Sequence, residues 1–402
     1  MNAAGEATGR DSGVDGSPRD DIIRALRNLR SRQAIVVIWE GEYRAGLYLC
    51  ERDAESWKIA PRLAANLGRN GVGKTREGDQ KSPAGIFSLA TAFGNAPPEG
   101  LKYPYRLLTP EDYWVDDGRS RAYNRWVRFK EGWPRDWRSA ESLWRETVCY
   151  QHAVIVNYNG SRQPEKGSAI FLHVRAGADK PTQGCTAVAA ENMVAILRWL
   201  DFAKRPLLLQ GSAADLAASA GDPPFALLPD GFAFVADLIP DICLALRDAA
   251  AGTESWPHDA ILTEPACRAL AEVQRILAAA DCGLKIRAAY RPQETTGCRL
   301  SGRPSPAPAS HSRGSAVDLT LVDLTTGRDL DLGETPGDCG GEESGHATAG
   351  AQPPTAAQRE NRRSLRRAME ACGFQADAHS WEHFTLRNEP YGDRYFNFPA
   401  RR

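Results

Sequence analysis

The second half of the chain alternates short apolar runs with breaks at Pro and Gly. Residues 286–291 form a mainly apolar run that stops at Pro292, which predicts a strand followed by a turn. Residues 310–325 alternate small or apolar with polar side chains before the turn signal Thr326-Gly327, which predicts a second strand. Arg291 therefore stands at the end of the first predicted strand, and the second carries several polar side chains.

A helix and a last strand follow in the pattern. Residues 333–354 are polar and rich in Gly, which predicts a loop. Residues 355–372 have the pattern of a helix, and Gly373 stands directly after them as a stop signal. Residues 380–386 predict a final strand. This mixture of strands and helices indicates an α+β domain.

The first half has its own pattern. Residues 1–18 predict disorder, and residues 20–32 predict one helix with Ile22, Ile23, Leu26 and Leu29 on one face. Further along, apolar strands are predicted at residues 167–174 and 206–210.

Length and composition support two domains in a soluble globular class. The chain has 402 residues, of which 42% are hydrophobic and 25% are charged, and this length exceeds what one core usually holds. The stretch around residues 212–224 is small-residue and Pro-rich, so we take it as a linker. We predict an extension at residues 1–32, a β-rich domain at residues 33–211 and an α+β domain at residues 225–402.

Charge and cysteine content limit the partners and the compartment. A net charge of -1 gives no indication of nucleic-acid binding, and no apolar run is long enough to cross a membrane or to form a secretory signal. The nine cysteines are an odd number without paired spacing, which favours a reducing compartment. We expect a cytoplasmic protein, or one of the cell envelope if a signal peptide is missing from the given sequence.

Two histidines and an aspartate in the second half form a candidate metal site. His311 and Asp318 are seven residues apart, and His383 lies near the C-terminus. Two imidazoles and one carboxylate that leave a coordination position open are typical of catalytic zinc, which activates a water there. The pattern predicts a zinc hydrolase with one zinc ion per chain.

The motifs around these residues resemble D-alanyl-D-alanine dipeptidases of the VanX type. The likeness covers Ala289-Tyr-Arg-Pro-Gln, the run from His311 to Asp318 with its Leu-Thr-Leu continuation, and His383-Phe-Thr-Leu-Arg. It implies that His311, Asp318 and His383 bind zinc and that Arg291 stabilises the oxyanion of the tetrahedral intermediate. Asp338 is a candidate for the ammonium of the dipeptide, with a solvated loop acid as the alternative.

One position departs from this family. Its catalytic glutamate stands three residues before the last histidine ligand, where this chain has Ser380. Glu382 is the nearby carboxylate, and on an extended strand it would point to the same side as Ser380, roughly 6 to 7 Å away. A general base must lie within about 3 Å of the proton it takes, so Glu382 serves only if the backbone shifts. An active dipeptidase and a zinc-binding relic both stay open.

A cysteine and a histidine in the first half form a second candidate site. The strand at residues 167–174 delivers His173, and a turn at Gly184 presents Cys185. A thiol needs a neighbouring base or cation to become a reactive thiolate, and a nearby histidine can provide one. Without further context, a buried thiol and a satisfied histidine would be the expected reading of such a pair.

The surrounding motifs resemble L,D-transpeptidases of the YkuD type. The likeness spans about residues 35–208 and includes Pro181-Thr-Gln-Gly-Cys185 and the upstream run Arg76-Glu-Gly-Asp-Gln-Lys-Ser-Pro-Ala-Gly. It implies that Cys185 is the acyl-accepting nucleophile and His173 its base. Gly184 and backbone amides near Cys185 would form the oxyanion hole.

A nucleotide-binding pattern in the same half fails on context. Residues 68–75 match the P-loop pattern and end at Lys74-Thr75. A phosphate cradle needs a buried strand before it and a helix after it, whereas here the following residues are charged and then broken by Pro83 and Gly85. We therefore predict no nucleotide site.

Taken together, the sequence predicts a peptidoglycan-metabolism enzyme with two active domains. The C-terminal domain would hydrolyse D-Ala-D-Ala with zinc, and the N-terminal domain would act on peptidoglycan stem peptides through Cys185. The alternative is a degenerate zinc domain that binds peptidoglycan fragments or serves as a scaffold beside an active L,D-transpeptidase. Ser380 is the feature that keeps this alternative open.

Overall fold

The computed structural model describes most of the chain, namely residues 17–27, 29–54, 56–145, 148–218, 228–246, 259–293, 310–333, 353–378 and 380–399. Within these residues, no helix has the length and apolar character needed to span a membrane. Asp338 and the greater part of the predicted loop at residues 333–354 lie outside the described residues, as do residues 1–16.

The first half is built on a ten-stranded sheet that closes on itself. Its strands run in the order β1-β13-β5-β10-β11-β12-β4-β2-β3, with β6 beside β5, and an additional pairing of β1 with β2 completes the ring. The strands of this sheet are β1 (Gln33–Gly41), β2 (Arg44–Arg52), β3 (Trp57–Ile59), β4 (Leu63–Asn66), β5 (Gly85–Gly94), β6 (Tyr105–Leu107), β10 (His152–Val156), β11 (Phe171–Val174), β12 (Thr186–Val188) and β13 (Leu207–Gly211).

A smaller sheet and three helices complete the first half. The three-stranded sheet comprises β7 (Asp112–Val115), β8 (Arg125–Arg128) and β9 (Ala140–Ser142). The helices are α1 (Pro18–Leu26), α2 (Ala190–Trp199) and α3 (Ala213–Ala218), and short 3-10 turns cover Cys149–Gln151 and Phe202–Lys204. Buried apolar side chains from the ring strands and α2 form the main core of this half.

The second half contains a five-stranded sheet in the order β15-β17-β18-β20-β19 and a two-stranded sheet of β14 and β16. The strands are β14 (Phe232–Phe234), β15 (Cys243–Leu244), β16 (Ile261–Thr263), β17 (Cys282–Ala288), β18 (Ala316–Asp323), β19 (Phe374–Ala376) and β20 (His383–Leu386). The helices are α4 (Val235–Leu238), α5 (Glu264–Ala278) and α6 (Ala356–Ala371), and a 3-10 turn covers Ser310–Arg313.

This five-stranded sheet has one apolar and one polar face. Side chains at alternate positions of β18 and β20, such as Leu319 and Phe384, are buried in the core against α5 and α6. The positions between them, Asp318 and His383, point to the other face because successive strand residues alternate. The strands therefore present candidate ligands on the side away from the core, and the predicted α+β class is confirmed.

Several predicted elements differ in detail. The first helix ends at Leu26 instead of residue 32, and Ile23 is exposed on it while Ile22 is fully buried. Strand β17 ends at Ala288, three residues before Arg291. The prediction for α6 is confirmed, because Thr355 caps its start and Gly373 follows its end with φ +91°.

The predicted linker begins with a helix. Residues 213–218 form α3, and its Leu216 is completely buried in a cluster with α1 and β13. This part of residues 212–224 thus packs on the first half. The domain boundaries themselves stay a prediction.

Buried polar contacts join the two halves. Arg106 lies between Asp112 of the first half, at 3.1 Å, and Asp241 of the second half, at 2.5 Å. The Asn157 side chain donates to Asp237 Oδ1 at 3.1 Å, and these contacts hold the two halves against each other.

Two candidate active sites

Three structural elements bring the candidate metal ligands together. His311 lies on the 3-10 turn Ser310–Arg313, Asp318 on β18 and His383 at the start of β20. The prediction that His311 enters on a strand is wrong, because Gly314, with φ +82°, reverses the chain between the turn and β18. Asp318 and His383 are direct register partners, so their side chains share one face of the sheet.

The two histidines face the two oxygens of Asp318. His383 Nδ1 lies 2.7 Å from Oδ1 and His311 Nε2 lies 3.3 Å from Oδ2. Burial opposes the ionisation of Asp318, but the neighbouring histidines outweigh burial and hold the pKa of its carboxyl well below the ordinary value. The aspartate is therefore negatively charged at neutral pH, as a metal ligand must be.

The donor set fits zinc. One potential ligand atom of each residue lies within 4.8 Å of the others, which is a spacing that a single cation can bridge. Nδ1 of His311 is buried without a hydrogen-bond partner among the described residues, while His383 Nε2 is held by Ser310 Oγ at 3.1 Å. The second histidine thus has the outer hydrogen bond that typically orients a metal-binding imidazole.

Glu382 lies beside the last histidine and forms an ion pair. Arg287 Nη1 is 3.4 Å from Glu382 Oε2, and both side chains are largely shielded from solvent. Arg287 is the extra residue of a bulge in β17, where the register shifts between Ile286 and Ala288. The ion pair thus joins the bulge of β17 to the residue that directly precedes His383 in the chain.

Ser380 and Glu382 do not lie on an extended strand, so the prediction of a strand over residues 380–386 is wrong for its first three residues. Residues 381 and 382 form a bend, and β20 begins only at His383. The Ser380 amide donates to Asp377 Oδ1 at 2.9 Å, which ties this segment to the end of β19. The alternation of a strand therefore does not determine where Glu382 points.

Arg291 follows β17 after a short connection. Ala288, the last residue of β17, is the register partner of Asp318, so the chain leaves the sheet beside the candidate ligands. Arg291 is half-buried and pairs with no group in the described part of the chain. Its predicted role in oxyanion stabilisation stays a prediction, as does the role of Asp338 outside the described residues.

Neighbouring strands carry the candidate nucleophile and base of the first half. Strands β11 and β12 are parallel, and His173 on β11 is the register partner of Ala187 on β12. Cys185 stands just before β12 and packs in one buried cluster with Phe171 and Tyr150. Tyr150 packs edge-on against His173, with ring centroids 5.5 Å apart.

The hydrogen bonds of Cys185 and His173 define their resting forms. The Phe171 amide donates to Cys185 Sγ at 3.3 Å, and the thiol donates to the Ala169 carbonyl at 3.2 Å. His173 Nδ1 lies 2.8 Å from the Val174 carbonyl, which only accepts, so Nδ1 carries the proton and Nε2 is left as the basic nitrogen.

Burial keeps both groups neutral. It raises the pKa of the Cys185 thiol to about 12 and lowers the pKa of His173 to about 4. A thiol that donates to a carbonyl agrees with this resting form. His173 can accept a proton during reaction, but the burial of both groups disfavours a stable thiolate and imidazolium pair.

Gly184 adopts a conformation that favours glycine, with φ +150°. Its amide donates to Thr182 Oγ1 at 3.1 Å, and Thr182 Oγ1 in turn donates to the Cys185 carbonyl at 2.7 Å. The Gly184 amide already has a partner in this structure. Its predicted contribution to an oxyanion hole would require Thr182 to give up this hydrogen bond.

Comparison with known proteins assigns both halves. A family model described as D-ala-D-ala dipeptidase matches residues 299–401, and a model described as L,D-transpeptidase catalytic domain matches residues 44–223. A D-alanyl-D-alanine dipeptidase of Enterococcus faecalis is 35% identical over 161 residues, which are 34% of this chain and 78% of that protein. The chain belongs to the D-alanyl-D-alanine dipeptidase family. Its first half is similar to the L,D-transpeptidase catalytic domain over residues 44–223.

Further comparisons agree with the dipeptidase assignment. A D-alanyl-D-alanine dipeptidase of Streptomyces coelicolor is 34% identical over 166 residues, covering 34% of this chain and 78% of that protein. A solved structure from Bdellovibrio bacteriovorus covers 47% of this chain and 53% of that chain at 16% identity, but its TM-score of 0.25 is too low to support an argument. The two domain families place the chain in peptidoglycan metabolism.

Sequence reasoning missed two charged residues near these sites. Arg287 of the dipeptidase domain stands in the middle of a predicted strand, where nothing in the sequence links it to Glu382. Lys74 of the transpeptidase domain was recognised only as part of a P-loop pattern, and no helix follows it. The structure buries its side chain, with 2% exposed, in an ion pair with Asp79.

Proposed function

We propose that the chain is a bifunctional peptidoglycan enzyme, in which a zinc-dependent D-Ala-D-Ala dipeptidase is joined to a cysteine-dependent L,D-transpeptidase. The convergence of His311, Asp318 and His383 within 4.8 Å is the observation on which the dipeptidase half depends. The transpeptidase part of the proposal depends on Cys185, just before β12, and on His173 of the neighbouring strand β11. The substrates would be the free dipeptide and peptidoglycan stem peptides.

In the dipeptidase domain, His311, Asp318 and His383 would hold the zinc ion. Bound zinc supplies a Lewis acid and an acidified water. Glu382 would take the proton from the attacking water, and Arg287 would hold the Glu382 carboxylate in place through the ion pair. Arg291 would donate to the oxyanion that develops on the scissile carbonyl.

In the transpeptidase domain, Cys185 would attack the carbonyl of a stem peptide. His173 Nε2 would accept the thiol proton as the S–C bond forms, and would return it to the departing amine. The resulting acyl-enzyme would be released by the amine of a second stem peptide. The neutral His173, with a pKa of about 4, is in the form that can accept this proton at neutral pH.

The compartment is a separate proposal. The odd number of nine cysteines without paired spacing supports a reducing cytoplasm. A D-Ala-D-Ala dipeptidase would meet its free dipeptide there.

The dipeptidase half is tested by variants at positions 380 and 382. Zinc-loaded protein should release D-alanine from D-Ala-D-Ala, and Glu382→Gln should lower turnover by about 100-fold or more while zinc binding is retained. The double variant Ser380→Glu/Glu382→Gln is measured for D-alanine release in the same way, and tests whether a glutamate at the family's usual position can serve as the base. Equal turnover by the wild-type protein and Glu382→Gln would contradict the proposed base.

The Glu382 ion pair also supports the second candidate function, a zinc-containing module that binds peptidoglycan fragments. A carboxylate held by Arg287 is less available as a base, and Ser380 cannot replace it. This function predicts binding of D-Ala-D-Ala by isothermal calorimetry without D-alanine release. It further predicts that the Ser380→Glu variant releases D-alanine, because the wild-type domain would lack only the general base.

The transpeptidase half is tested by mass spectrometry of the protein after incubation with a tetrapeptide stem. We expect a covalent acyl adduct on Cys185 and a crosslinked product when an acceptor stem is added. Cys185→Ala should give neither. An undiminished product yield from Cys185→Ala would overturn this half of the proposal and leave the dipeptidase half intact.

A further inference from the structure

The P-loop-like segment of the transpeptidase domain places a lysine in the protein interior. The Lys74 side chain is 2% exposed and its Nζ lies 2.9 Å from Asp79 Oδ1, whose side chain is 7% exposed. Lysines are almost never fully buried unless they are paired. Asp79 is the partner that allows the Lys74 ammonium to be buried.

The negative charge of Asp79 is shared among several donors. Its carboxylate accepts the amides of Thr75 at 2.8 Å, Arg76 at 3.1 Å and Lys81 at 3.0 Å, besides the Lys74 ammonium. Burial opposes ionisation, but these bonds outweigh it and lower the pKa of Asp79 to about 2. The three backbone amides and the Lys74 ammonium together hold Asp79 ionised, and the carboxylate in turn fixes the position of the ammonium.

Two glycines leave room for the lysine to reach the cysteine turn. A Cβ at Gly167 would lie 2.3 Å from Lys74 Cε, so any larger residue there would displace the side chain. A Cβ at Gly184 would lie 3.6 Å from Lys74 Nζ, which puts the ammonium beside the residue that precedes Cys185. The space next to the nucleophile is therefore filled by a cation.

The same segment also supports the backbone of Cys185. Ser82 Oγ donates to the Cys185 carbonyl at 3.1 Å, and the Lys74 amide donates to the Ser82 carbonyl at 3.2 Å. The segment from Lys74 to Ser82 is thereby connected to the turn that presents the nucleophile.

Several titratable groups surround the Cys185 sulfur, and Lys74 is the cation among them. Burial and the acid Glu141 raise the pKa of the thiol, whereas the Phe171 amide and Lys74 lower it. The titratable groups that act on Cys185 are Lys74, Glu141, Cys149 and Tyr150, and His173 packs against the ring of Tyr150. Because His173 is neutral, it adds no permanent positive charge.

We propose that Lys74 is a positioning residue for Cys185, whose buried ammonium stabilises the negative charge that the sulfur acquires when it loses its proton. His173 takes the proton, and Lys74 balances the charge left on the sulfur until the S–C bond has formed. The proposal rests on the proposed role of Cys185 as the nucleophile. It assigns a function to the P-loop-like segment that requires no nucleotide.

The test is the rate at which iodoacetamide alkylates Cys185 in the full chain as a function of pH, followed on the Cys185 peptide by mass spectrometry. The thiolate displaces iodide and forms an S–C bond, while the thiol proton passes to the buffer. Because burial places the midpoint near pH 12, rates are compared at about pH 7 to 9, where Lys74→Met should slow alkylation about tenfold, which corresponds to a midpoint about one unit higher. Lys74→Arg should keep the profile close to that of the wild-type protein.

Two further variants separate charge from folding. Lys74→Met alone leaves Asp79 buried without its cation, so the double variant Lys74→Met/Asp79→Asn removes both charges and should still raise the midpoint. Glu141→Gln removes an acid that acts on the same sulfur and should lower the midpoint. Unchanged midpoints in both Lys74 variants, beside a shift in Glu141→Gln, would overturn the proposal and leave Lys74 with a purely structural role.

The measurement is independent of peptidoglycan chemistry. A shifted midpoint without an acyl adduct on stem peptides would reject the proposed transpeptidation and preserve the role of Lys74. An acyl adduct with unshifted midpoints would support the proposed transpeptidation and reject the role of Lys74.

Discussion

Asp318 is the residue on which the candidate zinc site depends most. Each of its two oxygens faces one of the histidines, and those histidines keep its carboxyl ionised. Sequence reasoning found all three residues because their types and the motifs around them are specific to zinc chemistry. It could not find Arg287, since an ion pair between strands depends on register and on a bulge.

Asp318→Asn should weaken zinc binding by about 100-fold or more, because it removes a charged ligand while it keeps the side-chain size. Competition with a chromophoric zinc chelator measures the affinity directly. Asp323→Asn, at the far, half-buried end of the same strand, is the matched control and should bind zinc like the wild-type protein. Equal affinities for the Asp318 and Asp323 variants would exclude Asp318 as a ligand.

His173 predicts a pH dependence of stability. Its pKa is lowered by burial from 6.5 to about 4, so the unfolded chain takes up a proton at higher pH than the folded protein. Its contribution to stability is complete above about pH 6.5 and is lost as the pH falls towards 4, by about 3 kcal/mol in total. Urea unfolding between pH 7.5 and 4.5 should therefore show that the free energy of unfolding falls less in His173→Gln than in the wild-type protein. Parallel plots of unfolding free energy against pH for the two proteins would contradict this assignment.

At the scale of elements, long periodic segments were predicted well and short turns were not. Helix α6 has a capping box at Thr355 and Gln358, which are local signals that a sequence displays. The 3-10 turn of His311 and the bend at residues 381–382 depend on packing with distant residues. Gly314, which ends the turn of His311, shows this dependence on packing, because a Cβ there would lie 2.2 Å from the distant Phe232 ring.

Gly314→Ala should therefore displace the turn that carries His311. The variant combines an unfavourable φ of +82° with a steric overlap, so it should lower the unfolding free energy by more than about 1 kcal/mol and weaken zinc binding. Gly327→Ala is the control, because its φ is +68° but a Cβ there meets nothing within 4 Å. Chemical denaturation and zinc titration of both variants test the role of the turn, and equal effects on zinc affinity would argue against it.

At the scale of the whole molecule, the two domains share a buried charged contact. Arg106 bridges Asp112 and Asp241, and all three side chains are largely buried. The sequence correctly indicated the two domain families, while the domain boundaries and the two activities stay predictions. It could not indicate which charges pair across them, since these pairs depend on how the folded surfaces meet.

Arg106→Met should destabilise the protein by about 3–5 kcal/mol, because it leaves two carboxylates buried without their cation. Arg205→Met is the control, since its partner Asp230 is 95% exposed and the pair should contribute about 1 kcal/mol or less. Thermal unfolding of both variants provides the comparison. A loss of equal size in the two variants would show that the buried contact does not join the domains in the way described.

The central claim is that one chain has two independent active sites, and a crossed activity measurement tests it most directly. Wild-type protein, Asp318→Asn and Cys185→Ala are each assayed for D-alanine release from D-Ala-D-Ala and for acyl transfer between tetrapeptide stems. We predict that Asp318→Asn loses only D-alanine release and that Cys185→Ala loses only acyl transfer. The absence of either activity from the wild-type protein, or the loss of both activities in one variant, would contradict the claim.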